Sequence, residues 1–434
     1  MDRSLFQTFS KYATLNILGM MSLSCYILAD TFFIAQRLGA EGLAALNLSI
    51  PIYSIIHGIG LMIAIGGATR FSILRSQGNE KEAHTVFSTA LRAGLVIGLL
   101  FMLFGLFGSG SLASLLGADQ STLPMTKTYL ATILVFAPFF ITNNVVLAFV
   151  RNDNDPKLAM IAMLVGSFFN IILDYVFMFP LDMGMFGAAL ATCLAPMISL
   201  ATMVPHFTKK WEKLVVFSNT LVWNLLPDIC ALGSSALIVE LSSAVVLITF
   251  NLVILRLQGN TGVAAYGVVA NLGLVGVSIF TGLAQGAQPL VSRLYGVKSA
   301  KLPNQVRRYA LVTSIIIAVL MYLGVFGYSD RIVALFNSEG DSEIARMAAS
   351  GLRIYFLGFV FLGINVVEAT YLSATEKPRD ALLISMARGI IIIIPLVLVL
   401  SRIWDMTGVW LAFVLTELVV AALWVGEKRI RRRA

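Results

Sequence analysis

Asp30, Asn170, Asp174 and Glu240 stand in long apolar runs, where a carboxylate finds no water to hold it. At a bilayer centre an ionised Asp costs at least ~2.5 kcal/mol on insertion scales, so it persists there only when paired, hydrated or used. In the stretch GSFFNIILDYVFMF, from Gly166 to Phe179, Asn170 precedes Asp174 by four residues and shares its helix face. Asp30 lies about 28 Å of helix past Lys11, and Asp174 about 25 Å past Lys157, which sets both at a similar depth. Two carboxylates and an amide at one depth bind Na⁺ through oxygen, or share a proton because two nearby like charges resist ionising together. A second reading remains open at this point. The three form a structural polar cluster hydrogen-bonded to Asn16, Asn143 or Asn144, or Asp30 simply sits near interfacial water.

The elements that position them are membrane spans. The chain has 434 residues, 58% hydrophobic and 12% charged, where a soluble protein has about a quarter charged. Apolar runs of roughly 20 residues alternate with short polar breaks, the pattern of spanning helices. Hydropathy predicts twelve: 12–35, 46–70, 86–108, 125–149, 157–179, 185–206, 226–254, 262–290, 307–328, 347–372, 379–401 and 406–425. The N-terminal stretch has no small-residue cleavage pattern and reads as the first span. Most Lys and Arg, among them Lys209-Lys210, Arg307-Arg308 and Arg431 to Arg433, fall on the side of both termini, which the positive-inside rule makes the cytoplasm. The net charge of +8 is thus topogenic, and no nucleic-acid partner is expected. Cys25, Cys193 and Cys230 lack metal spacing and read as reduced small hydrophobes.

The chain also repeats itself at a shift of about 220 residues, the kind of period that marks duplicated bundles. GLAALN (42–47) meets GVAAYG (262–267), GGATRFSILRSQG (66–78) meets QGAQPLVSRLYG (285–296), RNDNDPKLA (151–159) meets SATEKPRDA (373–381), and FGAALA (186–191) meets TGVWLA (407–412). Six spans separate the copies, so the copies share one orientation and an axis along the membrane normal relates them. The expected fold is an all-α integral membrane protein of twelve transmembrane helices in two pseudo-symmetric six-helix bundles, 1–208 and 223–434, joined by a cytoplasmic linker at 209–222.

ADTFFIAQRLGAEGLAALNLSIPI, GGAT with the SQGNEKEA loop, RNDNDPKLAM followed by FFNIILDYVF, and GAQPLVSRLYG together resemble the multidrug and toxic compound extrusion (MATE) transporters over essentially the whole chain. The resemblance implies a V-shaped, cation-coupled antiporter in the cell membrane, driven by Na⁺ or H⁺ without further cofactor, that exports amphipathic organic cations. It also puts the family's first-lobe cation site at Asp30, Asn170 and Asp174. Asn47 and Pro51 either line that pocket or bend the second span.

The second lobe does not copy the acids, since Asp30 falls opposite Phe250 and Asp174 near Leu396. It carries instead Glu240 near mid-depth, which looks like a glutamate that some family members use in the seventh span. Glu240 is a candidate for a cationic substrate or a second proton. Glu368 and Arg388 lie at a similar depth and are expected to pair, with Glu417 as an alternative partner for Arg388; Glu368 otherwise joins Glu240 in a second site. Tyr26, Phe33, Tyr53, Tyr175 and Tyr266 are candidate walls for small-molecule substrates, with Asn47 beside them. His57 reads as structural, and His84 and His206 offer no ligand geometry. The chain is expected to act as a monomer in the bilayer.

Enzyme classes find little support. H-E-x-x-H, G-x-S-x-G and Walker A sequences are absent, as is the G-x-G-D partner that intramembrane aspartyl proteolysis requires. The closer rival is a flippase for lipid-linked precursors, found in the superfamily around the MATE proteins. Such flippases resemble one another in having about fourteen spans and a more basic cavity, and twelve spans favour the exporter.

Overall fold

The computed structural model describes residues 3–209, 222–299, 301–336 and 341–433, and all elements within them are helical. A chain this apolar must satisfy its backbone polar groups internally, which a helix does within one segment. In chain order the α-helices are α1 (Arg3–Ser76), α2 (Glu80–Leu115), α3 (Leu123–Val135), α4 (Ala137–Asn152), α5 (Pro156–Met178), α6 (Gly184–Lys209), α7 (Leu226–Gly296), α8 (Leu302–Phe336), α9 (Ser342–Tyr355), α10 (Phe359–Ala374), α11 (Pro378–Met386) and α12 (Ile393–Arg433). The linker expected at 209–222 lies, apart from its two end residues, outside the described residues.

Among the described residues, eight stretches are long and apolar enough to cross a membrane, and α3 with α4, bent by 49°, makes a ninth. Three are too long for one crossing. α1 has 74 residues, about 110 Å if straight, and it breaks at Gly39 (φ 62°, ψ −151°). α7 breaks at Gly259 (φ 60°, ψ −152°), and the stretch through α12 breaks at Trp404 and Asp405. Divided at these points, the described helices form twelve segments in the expected order.

The breaks recur with the sequence repeat. Gly39 and Gly259 lie 220 residues apart in nearly the same backbone state, one open only to glycine. Nothing lies within 4 Å of a Cβ built on either, so backbone conformation rather than space demands glycine there. Other positive-φ residues pair likewise: Gly78 with Lys298, Asn154 with Glu376, and Asp182 with Asp405. The RNDNDPKLA turn shows the local cause. Asn154 takes positive φ, Asp155 caps α5 by accepting from the Leu158 N–H at 3.2 Å, and Pro156 opens the helix where no N–H is needed. Glu376 and Pro378 repeat the positive φ and the opening proline before α11. The symmetry is imperfect within the spans, because Ala387–Ile391 in the second half is a π-helical bulge, whereas α5 is regular through its matching stretch.

Two apolar cores follow the two halves. One is built almost wholly from residues 34–203, the other from residues 250–413. A third core lies between the halves, where Phe9, Tyr12 and Ala13 of α1 meet Leu283, Ala287 and Leu290 of α7, and Phe6 meets Tyr309 edge-on at 5.2 Å. This contact lies at the end of the molecule that carries the start of α1 and the end of α7, hereafter the terminal end. Glycines bring the backbones together there: a Cβ on Gly66 would sit 1.9 Å from the Ile229 carbonyl oxygen, and one on Gly233 would sit 1.8 Å from that of Met62. Gly282 and Gly286 approach Ile17 and Ala13 in the same way. Small residues allow such backbone contact between membrane helices.

Polar ties gather at the same end. Arg70 reaches Glu376 at 2.5 Å and Asp228 at 3.3 Å, while Arg293 of the second half binds Asn154 of the first. Each half thus sends an arginine to the positive-φ turn of the other, the reciprocal contact a two-fold axis produces. Asn152 donates to Gln288 at 3.0 Å, and Gln288 donates to Thr69 at 3.0 Å.

Candidate functional site

The first span, α5 and α6 bring the predicted acids together. Asp30 is 6% exposed, and Asn170 and Asp174 are fully buried. With the Asn170 amide turned to the orientation that satisfies both neighbours, its nitrogen donates to Asp174 Oδ2 at 3.1 Å and its oxygen accepts from the Thr192 backbone N–H at 3.3 Å. Asp30 is the neighbouring carboxyl group of Asp174. Tyr26 and Tyr53 lie beside each other and within the field of Asp30, and Tyr129 lies near both carboxyl groups. Pro196, inside α6, has no N–H to give the carbonyl of Thr192, the residue four before it.

The oxygen atoms left over point to a cation. Asp30 Oδ1, Asp174 Oδ1 and Thr192 Oγ1 are buried without a hydrogen-bond partner, a costly state for a polar atom. The other buried acids differ. Asp153 binds Arg75 and, at 2.8 Å, His206; Glu368 binds Arg307; Glu417 binds Arg388 at 2.8 Å. Among the described residues, only Asp30 and Asp174 of the buried acids have no cationic side chain in ion-pair range. Carboxylate, amide and hydroxyl oxygens make this a hard-oxygen donor set. Two of the three asparagines that offered a structural reading are engaged elsewhere: Asn16 accepts from Arg151 at 2.7 Å, and Asn144 bonds His57 Nδ1 at 3.1 Å; the third, Asn143, keeps its Oδ1 buried without a hydrogen-bond partner.

The remaining candidates scatter. Tyr26 joins the cluster, but Tyr175 is 53% exposed and stacks on Phe179 at 5.4 Å. Asn47 is exposed. Tyr266 is no cavity wall; it is buried between Phe250 and Trp410 in the second core. Glu240 is half-buried and faces the first half, since a Cβ on Gly58 would meet its Cβ at 3.1 Å, with Tyr53 nearby.

The expected Glu368–Arg388 pair does not form. Arg307 donates from Nε to Glu368 Oε1 at 2.8 Å, and Trp424 Nε1 donates to Oε2 at 3.3 Å. Arg388 goes to Glu417, which also accepts from Asn365 at 2.7 Å. Equal depth does not fix which helix faces which, and Arg307 begins a neighbouring span within reach. With its carboxylate so occupied, Glu368 is a structural ion pair separate from Glu240.

Sequence reading missed Tyr129 and Thr192, ordinary residues in apolar spans that tertiary packing alone makes neighbours of the acids. Nor did it single out Arg151, which is 6% exposed. His206, for which the sequence offered no ligand geometry, lies buried between Asp153 and Asp155.

The MatE family profile matches residues 16–176 and 236–399, one segment in each half. The chain belongs to the MATE family. It is 27% identical over 421 residues to the multidrug export protein MepA of Staphylococcus saprophyticus, covering 96% of this chain and 92% of that one. MepA of Staphylococcus aureus strain MSSA476 is 26% identical over 407 residues, covering 93% and 89%. In three dimensions the chain is similar to a multidrug resistance MATE transporter solved in an outward-facing conformation, with a TM-score of 0.92, 22% identity, and 98% and 96% of the two chains covered. A similar likeness holds to the Vibrio cholerae MATE transporter VcmN, with a TM-score of 0.88, 21% identity, and 99% and 98% covered. These likenesses carry the fold, and the family makes the chain a multi-pass membrane transporter.

Proposed function

We propose that this MATE protein is a secondary antiporter that exports amphipathic, often cationic, organic compounds in exchange for Na⁺ or H⁺. It works in the cell membrane with both termini in the cytoplasm, so that the terminal end faces the cytoplasm and the closed contact there leaves the outer side as the open route. The observation that carries the reading is the pair Asp30 and Asp174, buried acids without a cationic partner beside an unpartnered Thr192 hydroxyl. An incoming Na⁺ or proton supplies the missing positive charge, and Asn170 holds Asp174 in place to receive it. Coupling requires that ion and substrate each bind the two access states with different affinity. The bundle of 1–208 carries the ion site. Glu240, facing Tyr53 across the seam, is placed to meet a cationic substrate.

Support for drug export comes from the MepA relatives, whose names state that activity. The test is ethidium efflux from proteoliposomes, first under a Na⁺ gradient at fixed pH, then under a pH gradient without Na⁺. One of the two gradients is expected to drive efflux. Folded protein that responds to neither, with any organic cation tried, contradicts the reading and turns attention to lipid-linked substrates.

A further inference from the structure

The contact at the terminal end buries one arginine that the site above does not use and that no carboxylate pairs among the described residues. Arg151, at the end of α4, is buried in the seam between the halves. Its Nη1 donates to Asn16 Oδ1 of its own half at 2.7 Å and to Gln285 Oε1 of the other half at 2.9 Å. Both acceptors are neutral amides, and Nε has no partner. Among the described residues no carboxylate lies within ion-pair range of this guanidinium, whereas Arg70, Arg75, Arg307 and Arg388 all have one. A guanidinium keeps its proton at any physiological pH, so the seam holds a fixed positive charge. The repeat does not copy it: the matching position in SATEKPRDA is Ser373, whose hydroxyl donates to the Leu232 carbonyl. An uncompensated buried charge is expensive, and the reciprocal contacts around it close the terminal end without needing it.

We infer that Arg151 is the charge barrier of the closed seam. Its positive charge repels Na⁺, protons and organic cations from the terminal side while the outer route is open, and opening of the terminal end separates it from Gln285. This rests on the antiport reading, because a barrier to cations matters where cations are what the protein carries. The barrier acts on passive leak, which needs neither substrate nor the Asp30–Asp174 pair, so the two can fail separately.

The test is passive Na⁺ and proton leak in proteoliposomes without substrate, compared among wild type, Arg151→Gln, Arg151→Lys and Gln285→Glu. Arg151→Gln keeps hydrogen-bonding capacity and removes the charge, and is expected to raise the leak at least tenfold; Arg151→Lys is expected to leak as little as wild type. Gln285→Glu leaves Arg151 in place and sets a countercharge against it. That variant is expected to raise the leak several-fold and to slow substrate exchange by pinning the halves together, and it carries the test if Arg151→Gln does not fold. Leak at the wild-type level in both Arg151→Gln and Gln285→Glu overturns the inference. So does Arg151→Lys leaking as much as Arg151→Gln, which would make the barrier one of shape. If gradients drive no efflux in wild type yet the leak follows charge as stated, the antiport reading falls and the barrier stands.

Discussion

At the residue scale, the buried acids divide by whether the chain itself supplies their counterion, and stability should divide with them. Glu417→Gln leaves Arg388 buried beside a neutral amide, and breaking such a pair costs about 3–5 kcal/mol. It should lower the melting temperature in detergent distinctly. Asp174→Asn removes a carboxylate whose Oδ1 has no partner, so its melting temperature should hold or rise; a loss as large as that of Glu417→Gln would mean that Asp174 is a structural residue. Thr192→Val removes the unpartnered hydroxyl at nearly constant shape. If that oxygen contacts the ion, the ion concentration for half-maximal efflux rises several-fold while the maximal rate stays near wild type. An unchanged ion dependence would take Thr192 out of the site.

At the element scale, the turns carry the topology. Ala in place of Gly39 or Gly259 meets a backbone state that costs a non-glycine residue about 1–3 kcal/mol, with no clash involved. Gly39→Ala should therefore reduce folded yield and thermal stability, while Gly324→Ala, in a helix with open space around it, should be neutral or stabilising. Equal effects of the two would refute a conformational role for Gly39. These elements were legible in advance because apolar runs, glycine and proline act locally: the spans at 12–35 and 46–70 flank Gly39, those at 226–254 and 262–290 flank Gly259, and the repeat predicted the shift between them. Asn170 and Asp174 were legible by their helix spacing, and Asp30 by its depth. Facing could not be read in the same way. Arg307 rather than Arg388 reaches Glu368, Tyr266 turns into a core, and Arg151 turns inward at a helix end, because each depends on how helices rotate against neighbours far away in sequence.

At the scale of the molecule, the two halves are held closed at the terminal end by backbone contact through Gly66 and Gly233 and by reciprocal arginines. Leucine in place of Gly66 has no room against the Ile229 carbonyl, so Gly66→Leu should part that end. Spin labels at the exposed positions Lys157 and Lys298, one in each half, would report a longer and broader distance distribution, together with lower efflux. A distribution identical to wild type would show that the contact does not hold this state. The central claim, however, concerns where the ion binds. The measurement that tests it most directly is ion movement evoked by substrate: a Na⁺- or pH-sensitive dye inside proteoliposomes, wild type against Asp174→Asn, with substrate added on one side. The account predicts a substrate-evoked ion flux in wild type that falls at least tenfold in Asp174→Asn while the variant remains folded in the bilayer. A flux of undiminished size in Asp174→Asn would contradict it.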